Sequence, residues 1–201
     1  MNTKETLMQF VETGGRVFLA KPFISNNHYY ASNGHVAVRM AMDETLKEGD
    51  VVFVESDTRL VDVVKKIDQW IADASQGQKF TAITKQTEMT SCTACCGSGK
   101  YRKCEDCRGN GYFVYGQHEY SCKNCDGLGL VEDDDGDFKC SMCNGSGEVP
   151  ANILVNGVLF NGVTFNKLAG LPNAEICTNG INQKAVFRFV GGMGAIMPMR
   201  Q

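Results

Sequence analysis

The 201-residue sequence predicts an α+β fold: a body of antiparallel sheet with two helices, interrupted by a metal-dependent arm. Three observations lead there. Strand-like runs lie on both sides of a cysteine-rich segment, and two stretches ahead of it carry apolar residues at helical spacing. The pattern C-x-x-C-x-G-x-G occurs four times in 56 positions, at 92–99, 104–111, 122–129 and 140–147. The 52 residues from Pro150 onward hold several strands but make a poor independent domain, so they are expected to complete a sheet begun before residue 89. The expected organisation is a discontinuous body, 1–89 and 150–201, around an arm at 90–149.

Taken in order, "NTKET" starts a helix. Asn2 can cap it, Glu5 sits three residues on, and Leu7, Met8, Phe10 and Val11 form an apolar face ended by Gly14-Gly15. "RVFLA", "HYYAS" and "HVAVRMAM" read as strands, with Ser32-Asn33-Gly34 as a tight turn, and "DVVFVES" as another. Thr58 is placed to cap a second helix, in which Leu60, Val61, Val64, Ile67, Trp70 and Ile71 recur at helical spacing. "KFTAIT" returns to strand. Beyond Pro150, "NILVNGVLFNGVTFN" holds two Asn-Gly turn signals among β-branched residues. "FNKLAGLP" reads as a short helix stopped by Gly170 and Pro172. "AEICT", "KAVFRFV" and "AIMPM" are strand-like, separated by Asn179-Gly180 and by "GGMG", read as a hairpin turn rather than a phosphate loop.

Composition narrows the function. Hydrophobic residues make up 43% of the chain, enough for a core, and no apolar run approaches the roughly 18 residues of a membrane span. "MNTKETLMQF" has no signal-peptide pattern, so a cytoplasmic location with reduced thiols is expected. No strand–Gly-rich-loop–helix with a following Lys appears, and His28, His35 and His118 stand apart from any nucleophile arrangement. The chain is therefore expected not to be an enzyme. Between residues 90 and 149, six Lys or Arg face ten Asp or Glu, a balance of −4. Eight thiolates holding two zinc ions would bring the arm to about −8.

The repeats carry the chemistry. A zinc ion takes four soft ligands in a tetrahedron, and two cysteines three apart offer both sulfurs from one tight turn. Glycines at the sixth and eighth positions permit backbone angles and approaches that a Cβ would block. Each repeat is then half a site, and four repeats make two. The segment also needs metal to fold: between residues 92 and 147 there is no Ile or Trp, so burial cannot offset chain entropy. Structural zinc contributes roughly 10–16 kcal/mol of apparent binding free energy in small peptides. C-x-x-C is also a redox motif, and paired cysteines also make disulfide frameworks. The first needs a thioredoxin-like context and the second a secreted protein.

In every Cys and Gly the four repeats resemble the cysteine-rich zinc module of DnaJ-type co-chaperones. In that family the module is an elongated β-hairpin arm in which repeats one and four share one zinc, and repeats two and three the other. The resemblance thus implies one site of Cys92, Cys95, Cys140 and Cys143 and a second of Cys104, Cys107, Cys122 and Cys125. Cys96 and Cys177 remain as thiols outside the sites. The likeness covers about 60 residues and no His-Pro-Asp triplet of a J-domain exists in the chain. In the body, "FNKLAGLPNAEI" and "AVFRFVGGMGAIMPMR" resemble the last part of a bacterial DNA sliding clamp domain, and "ISNNHYYASNGHVAVRM" is similar to a clamp's early strand pair. A full clamp chain has three such domains, and this one has room for one.

Two functions are expected from these features. The first is a non-catalytic binding or adaptor protein whose acidic arm contacts a protein or unfolded peptide, using Tyr112, Phe113, Tyr115 and Tyr120 of "GYFVYGQHEY". The second is a phage-type DNA-associated replication or transcription factor, since zinc modules of this kind also occur in lambdoid-phage late antiterminators. An arm near −8 would be repelled by phosphates, so nucleic acid would bind through the body. From Pro150 onward four basic residues face one acidic.

Overall fold

A computed structural model describes residues 2–12, 16–47, 49–74, 79–178, 180 and 183–200. Helix α1 spans Thr3–Met8 and opens on a complete capping box: the Asn2 side chain accepts from the Glu5 amide at 2.8 Å, and the Glu5 carboxylate accepts from the Asn2 amide at 3.1 Å. Gly14-Gly15, expected to end it, lie outside the described residues, as does Asn179 of the Asn179-Gly180 turn. "RVFLA" is not a strand. Val17–Leu19 form a 3-10 turn in which the Arg16 and Val17 carbonyls accept from Leu19 and Ala20, and Pro22 follows with no amide to give a ladder.

Strands β1 (Phe23–Ser25), β2 (His28–Ser32) and β3 (Val36–Ala41) form a meander. The β1–β2 turn is Asn26-Asn27, with φ of 48° and 58°, the two left-handed positions of a type I′ turn. "DVVFVES" yields only a two-residue strand, β4 (Val52–Phe53), which pairs parallel to β1 and then tightens into a 3-10 turn. Helix α2 runs over Thr58–Ala74. Its cap is Asp57, not Thr58: the Asp57 carboxylate accepts from the Arg59 amide at 2.9 Å, and Thr58 is the first helical residue. Strand β5 is Thr81–Ala82.

The cysteine-rich segment contributes β6 (Met89–Ser91), β7 (Lys100–Lys103), β8 (Tyr112–Tyr115), β9 (His118–Ser121), β10 (Leu130–Glu132), β11 (Phe138–Lys139) and β12 (Glu148–Pro150). The body then resumes with hairpin β13 (Ile153–Val155) and β14 (Val158–Phe160), turned by Asn156-Gly157 with φ of 49° and 80°. The second Asn-Gly pair is no turn. Asn161 caps helix α3 (Gly162–Ala169), its side chain accepting from the Thr164 amide at 3.0 Å. Strands β15 (Glu175–Cys177), β16 (Ala185–Phe189) and β17 (Gly192–Ile196) finish the chain.

The fold is α+β, with three α-helices among the described residues. One eight-stranded sheet has the order β4-β1-β2-β3-β17-β16-β15-β5, antiparallel throughout except for β1–β4. β17 pairs with β3 and β15 with β5, so strands from both sides of the cysteine-rich segment share this sheet. Both faces are covered. Tyr30 and Ala37 point to one face, against Leu60, Val64, Ile67 and Ile71 of α2. Tyr29, Val36 and Val38 alternate to the other, against Leu7 of α1, Phe160, and Phe165 and Leu168 of α3. Each fully buried ring here contributes roughly 1.5–3 kcal/mol. At Gly194 an added Cβ would stand 2.4 Å from the Phe187 ring, so the glycine makes room for that ring.

The chain divides into two compact units, 1–86 with 152–201 and 87–151. No described helix is long and apolar enough to cross a membrane. Both large apolar clusters belong to the first unit, whereas the second buries little beyond its cysteines. Chelation should therefore unfold 87–151 alone. Circular dichroism should keep most of its helix signal, because every described α-helix lies in the first unit, and protease should then cut between about residues 90 and 149. Loss of the whole fold on chelation would show that the first unit depends on metal.

Candidate metal centres

The second unit is a nest of antiparallel pairs. β6 pairs with β12, β7 lies between β10 and β11, and β8 pairs with β9. The repeats fall between these ladders. Each forms the same knuckle: its fifth residue is left-handed (Cys96, Arg108, Asp126 and Asn144, φ 47–54°), followed by a left-handed glycine. The eighth-position amide then turns back onto the second cysteine. Gly99 donates to Cys95 Sγ at 3.1 Å, Gly111 to Cys107 at 3.2 Å, Gly129 to Cys125 at 3.2 Å and Gly147 to Cys143 at 3.3 Å.

Backbone hydrogen bonds tie the knuckles in pairs. The Cys92 amide donates to the Gly147 carbonyl and the Cys140 amide to Gly99, both at 2.8 Å. Cys104 donates to Gly129 at 2.9 Å and Cys122 to Gly111 at 2.8 Å. The eighth glycine of one repeat presses on the sixth of its partner: a Cβ on Gly111 would lie 2.3 Å from the Gly127 carbonyl oxygen, and one on Gly147 2.2 Å from that of Gly97. Repeats one and four, and two and three, are thus joined independently of their thiols.

The thiols converge accordingly. Cys92, Cys95, Cys140 and Cys143 form one buried group and Cys104, Cys107, Cys122 and Cys125 another, with all four sulfurs in each group within 4.8 Å of one another. A tetrahedron with metal–sulfur bonds of about 2.3 Å has edges of about 3.8 Å. The Sγ separations are 3.9 Å for Cys92–Cys140, 3.8 Å for Cys95–Cys143, 3.8 Å for Cys104–Cys122 and 3.7 Å for Cys107–Cys125. A disulfide would need about 2.05 Å, and none joins any of the ten cysteines. Four soft sulfurs at tetrahedral spacing fit zinc, so each of the two four-cysteine groups can hold one ion.

Within each group burial and hydrogen bonding push individual thiols in opposite directions. Burial pushes Cys92 and Cys122 up to about 11. Burial also opposes ionisation of Cys140 and Cys107, but neighbouring hydrogen-bond donors outweigh it. The Cys143 and Met142 amides and the Tyr101 hydroxyl bring Cys140 to about 6, and the Gly111 amide leads in bringing Cys107 to about 7. The Tyr101 hydroxyl donates to the Ala94 carbonyl and lies 3.8 Å from Cys140 Sγ, and the Asn124 amide group donates to Cys104 Sγ at 3.6 Å. Neither supporting residue was expected from the sequence, where only the place of Tyr101 just after repeat one and of Asn124 inside repeat three marks them. Cys96 is exposed, 3.7 Å from a Glu132 oxygen, and Cys177 is buried in β15; neither belongs to a group of four.

The acidic run at 131–137 joins β10 to β11, and Asp133 pairs with Arg102 at 2.7 Å. The aromatics of "GYFVYGQHEY" occupy β8 and β9, joined by Gly116-Gln117 with Gly116 at φ 63°. No family model matches the chain, and comparison with curated proteins and with solved structures returns no significant match.

Metal analysis of purified protein should find two zinc ions per chain. Cys104→Ser should lower this to one, and Gly111→Ala should do the same by forcing its Cβ against Gly127, while Cys96→Ser should leave two. Because Cys92 and Cys122 keep their protons up to about pH 11 without metal, zinc must displace them. Apparent affinity should therefore fall as pH falls, and titration calorimetry in buffers of different ionisation enthalpy should register net proton release at about pH 7.

Proposed function

We propose that the chain is a zinc-stabilised, non-catalytic binding or adaptor protein whose zinc arm contacts another protein or an unfolded peptide. One observation carries this reading: the β8–β9 hairpin exposes an aromatic face. Strand alternation and the register Phe113↔Tyr120 and Tyr115↔His118 set four rings on one side, Phe113, Tyr115, His118 and Tyr120. Tyr112, grouped with them on sequence alone, falls on the opposite side. Phe113 is 44% exposed, Tyr120 54% and Tyr115 81%, so these rings stabilise no core. Exposed aromatic clusters on a rigid support are the usual anchors of protein recognition. The resemblance of the repeats to DnaJ-type modules supports the same reading, in a reduced cytoplasmic setting.

A second reading, a phage-type DNA-associated factor with a clamp-like body, has its own support. The segments similar to a sliding clamp meet at one mainly apolar cavity of about 240 Å³, where Gly34, His35 and Val36 face Ala195 and Met197. In that reading DNA contacts fall to the body.

The two are separated by fluorescence polarisation. A labelled, reduced and carboxymethylated unfolded polypeptide should bind the intact protein, and Phe113→Ala or Tyr115→Ala should cost about 2 kcal/mol, roughly thirtyfold in Kd, with zinc content unchanged. Neutralising residues 133–135 should alter mainly the salt dependence. Binding of duplex or single-stranded DNA with no binding of the polypeptide would favour the second reading.

A further inference from the structure

Resting on the first of these readings, we infer that the aromatic face of the β8–β9 hairpin takes an extended segment of polypeptide rich in Lys and Arg. The face is made of rings alone, and their π faces attract cations. Elsewhere the chain fills such faces with its own cations: Arg59 lies 4.5 Å from the centre of Phe18, Lys184 4.9 Å from Trp70 and Arg188 4.4 Å from Phe80. All three pairs belong to the body. Among the described residues no cation covers a ring of the hairpin.

Charge points the same way. Between residues 102 and 129, Glu105, Asp106, Glu119 and Asp126 are balanced by Arg102, Lys103, Arg108 and Lys123, Arg102 pairing with Glu105 at 2.6 Å. A zinc tetrathiolate adds −2, so the stretch that carries the hairpin stands at about −2. Aromatic platforms also stack bases, but single-stranded nucleic acid would bring phosphates into this negative surface. A cationic peptide meets both the rings and the charge.

The backbone suits an extended ligand. The β8–β9 sheet has two strands, so both of its edges are open. The Cys122 amide bonds the Gly111 carbonyl at 2.8 Å, and antiparallel alternation from that pair turns the amides of Tyr112 and Val114 outward on one edge, and those of Glu119 and Ser121 on the other. A segment added as a third strand gains main-chain hydrogen bonds and brings alternate side chains over the rings.

Fluorescence anisotropy with the full-length, zinc-loaded protein tests this using four labelled probes: a Lys/Arg-Ser-Gly peptide, its Gln-for-Lys/Arg and Glu-for-Lys/Arg counterparts, and oligothymidylate. The cationic peptide should bind roughly tenfold or more tightly than the neutral one, and more weakly as salt rises to about 0.15 M. Tyr115→Ala and Phe113→Ala should each weaken it roughly three- to thirtyfold, Tyr115→Phe should restore it, and every variant should keep two zinc ions. Equal binding of all three peptides would overturn the cationic preference and leave the protein-binding reading standing. Binding of oligothymidylate alone, or of no probe, would overturn both.

Discussion

The second unit depends on the mutual closure of four thiols around one metal position, made twice. It has almost no apolar core: its buried hydrophobic cluster is Cys104, Cys107, Cys122 and Cys125 with Val131 packed against them. Neither short ladders of two to four residues nor scattered surface ion pairs offset the entropy of ordering some sixty residues. Metal–thiolate bonds do, and they hold the polypeptide at the points where each knuckle reverses direction. Everything exposed beyond them, including the β8–β9 hairpin, is positioned by that closure.

The backbone closes each site together with the sulfurs. Reciprocal amide–carbonyl bonds, Cys92 to Gly147 and Cys140 to Gly99, set the knuckles of one pair face to face, and the same bonds recur between repeats two and three. The eighth-position amides aim at the second sulfur of each repeat. Glycine is required at the eighth position because a side chain there would strike the partner's carbonyl, and at the sixth by its left-handed φ. The result is the same four-sulfur donor set at both sites, with Tyr101 beside one and Asn124 beside the other. The first unit needs none of this. Its sheet buries both faces against helices and carries its own core of Phe160, Phe165, Phe187, Leu60 and Ile67.

Much of this could be read in the sequence because the metal chemistry leaves few alternatives. Cysteines three apart followed by two fixed glycines identify half-sites wherever they occur. Which halves join was not readable from spacing and entered through the family resemblance; physically it is decided by long-range amide–carbonyl bonds, which local pattern does not encode. The errors in the body have local causes. "RVFLA" is an apolar run but is followed by Pro22, and its carbonyls are taken up by a turn. Asn161-Gly162 has the composition of a hairpin turn, yet the apolar spacing that follows makes Asn161 a cap. Strand β1 passed unnoticed although Asn26-Asn27 marks its turn. On the hairpin, the period of two in "YFVY" and "HEYS" already separates Tyr112 from Phe113 and Tyr115 and sets His118 beside them.

Zinc K-edge X-ray absorption on the intact protein tests the central claim, two all-sulfur tetrahedra, most directly. The fitted first shell should contain four sulfurs at about 2.3 Å and no nitrogen or oxygen, averaged over both ions. A shell with nitrogen or oxygen scatterers at about 2.0–2.1 Å would contradict it, because no histidine or carboxylate belongs to either group of four cysteines.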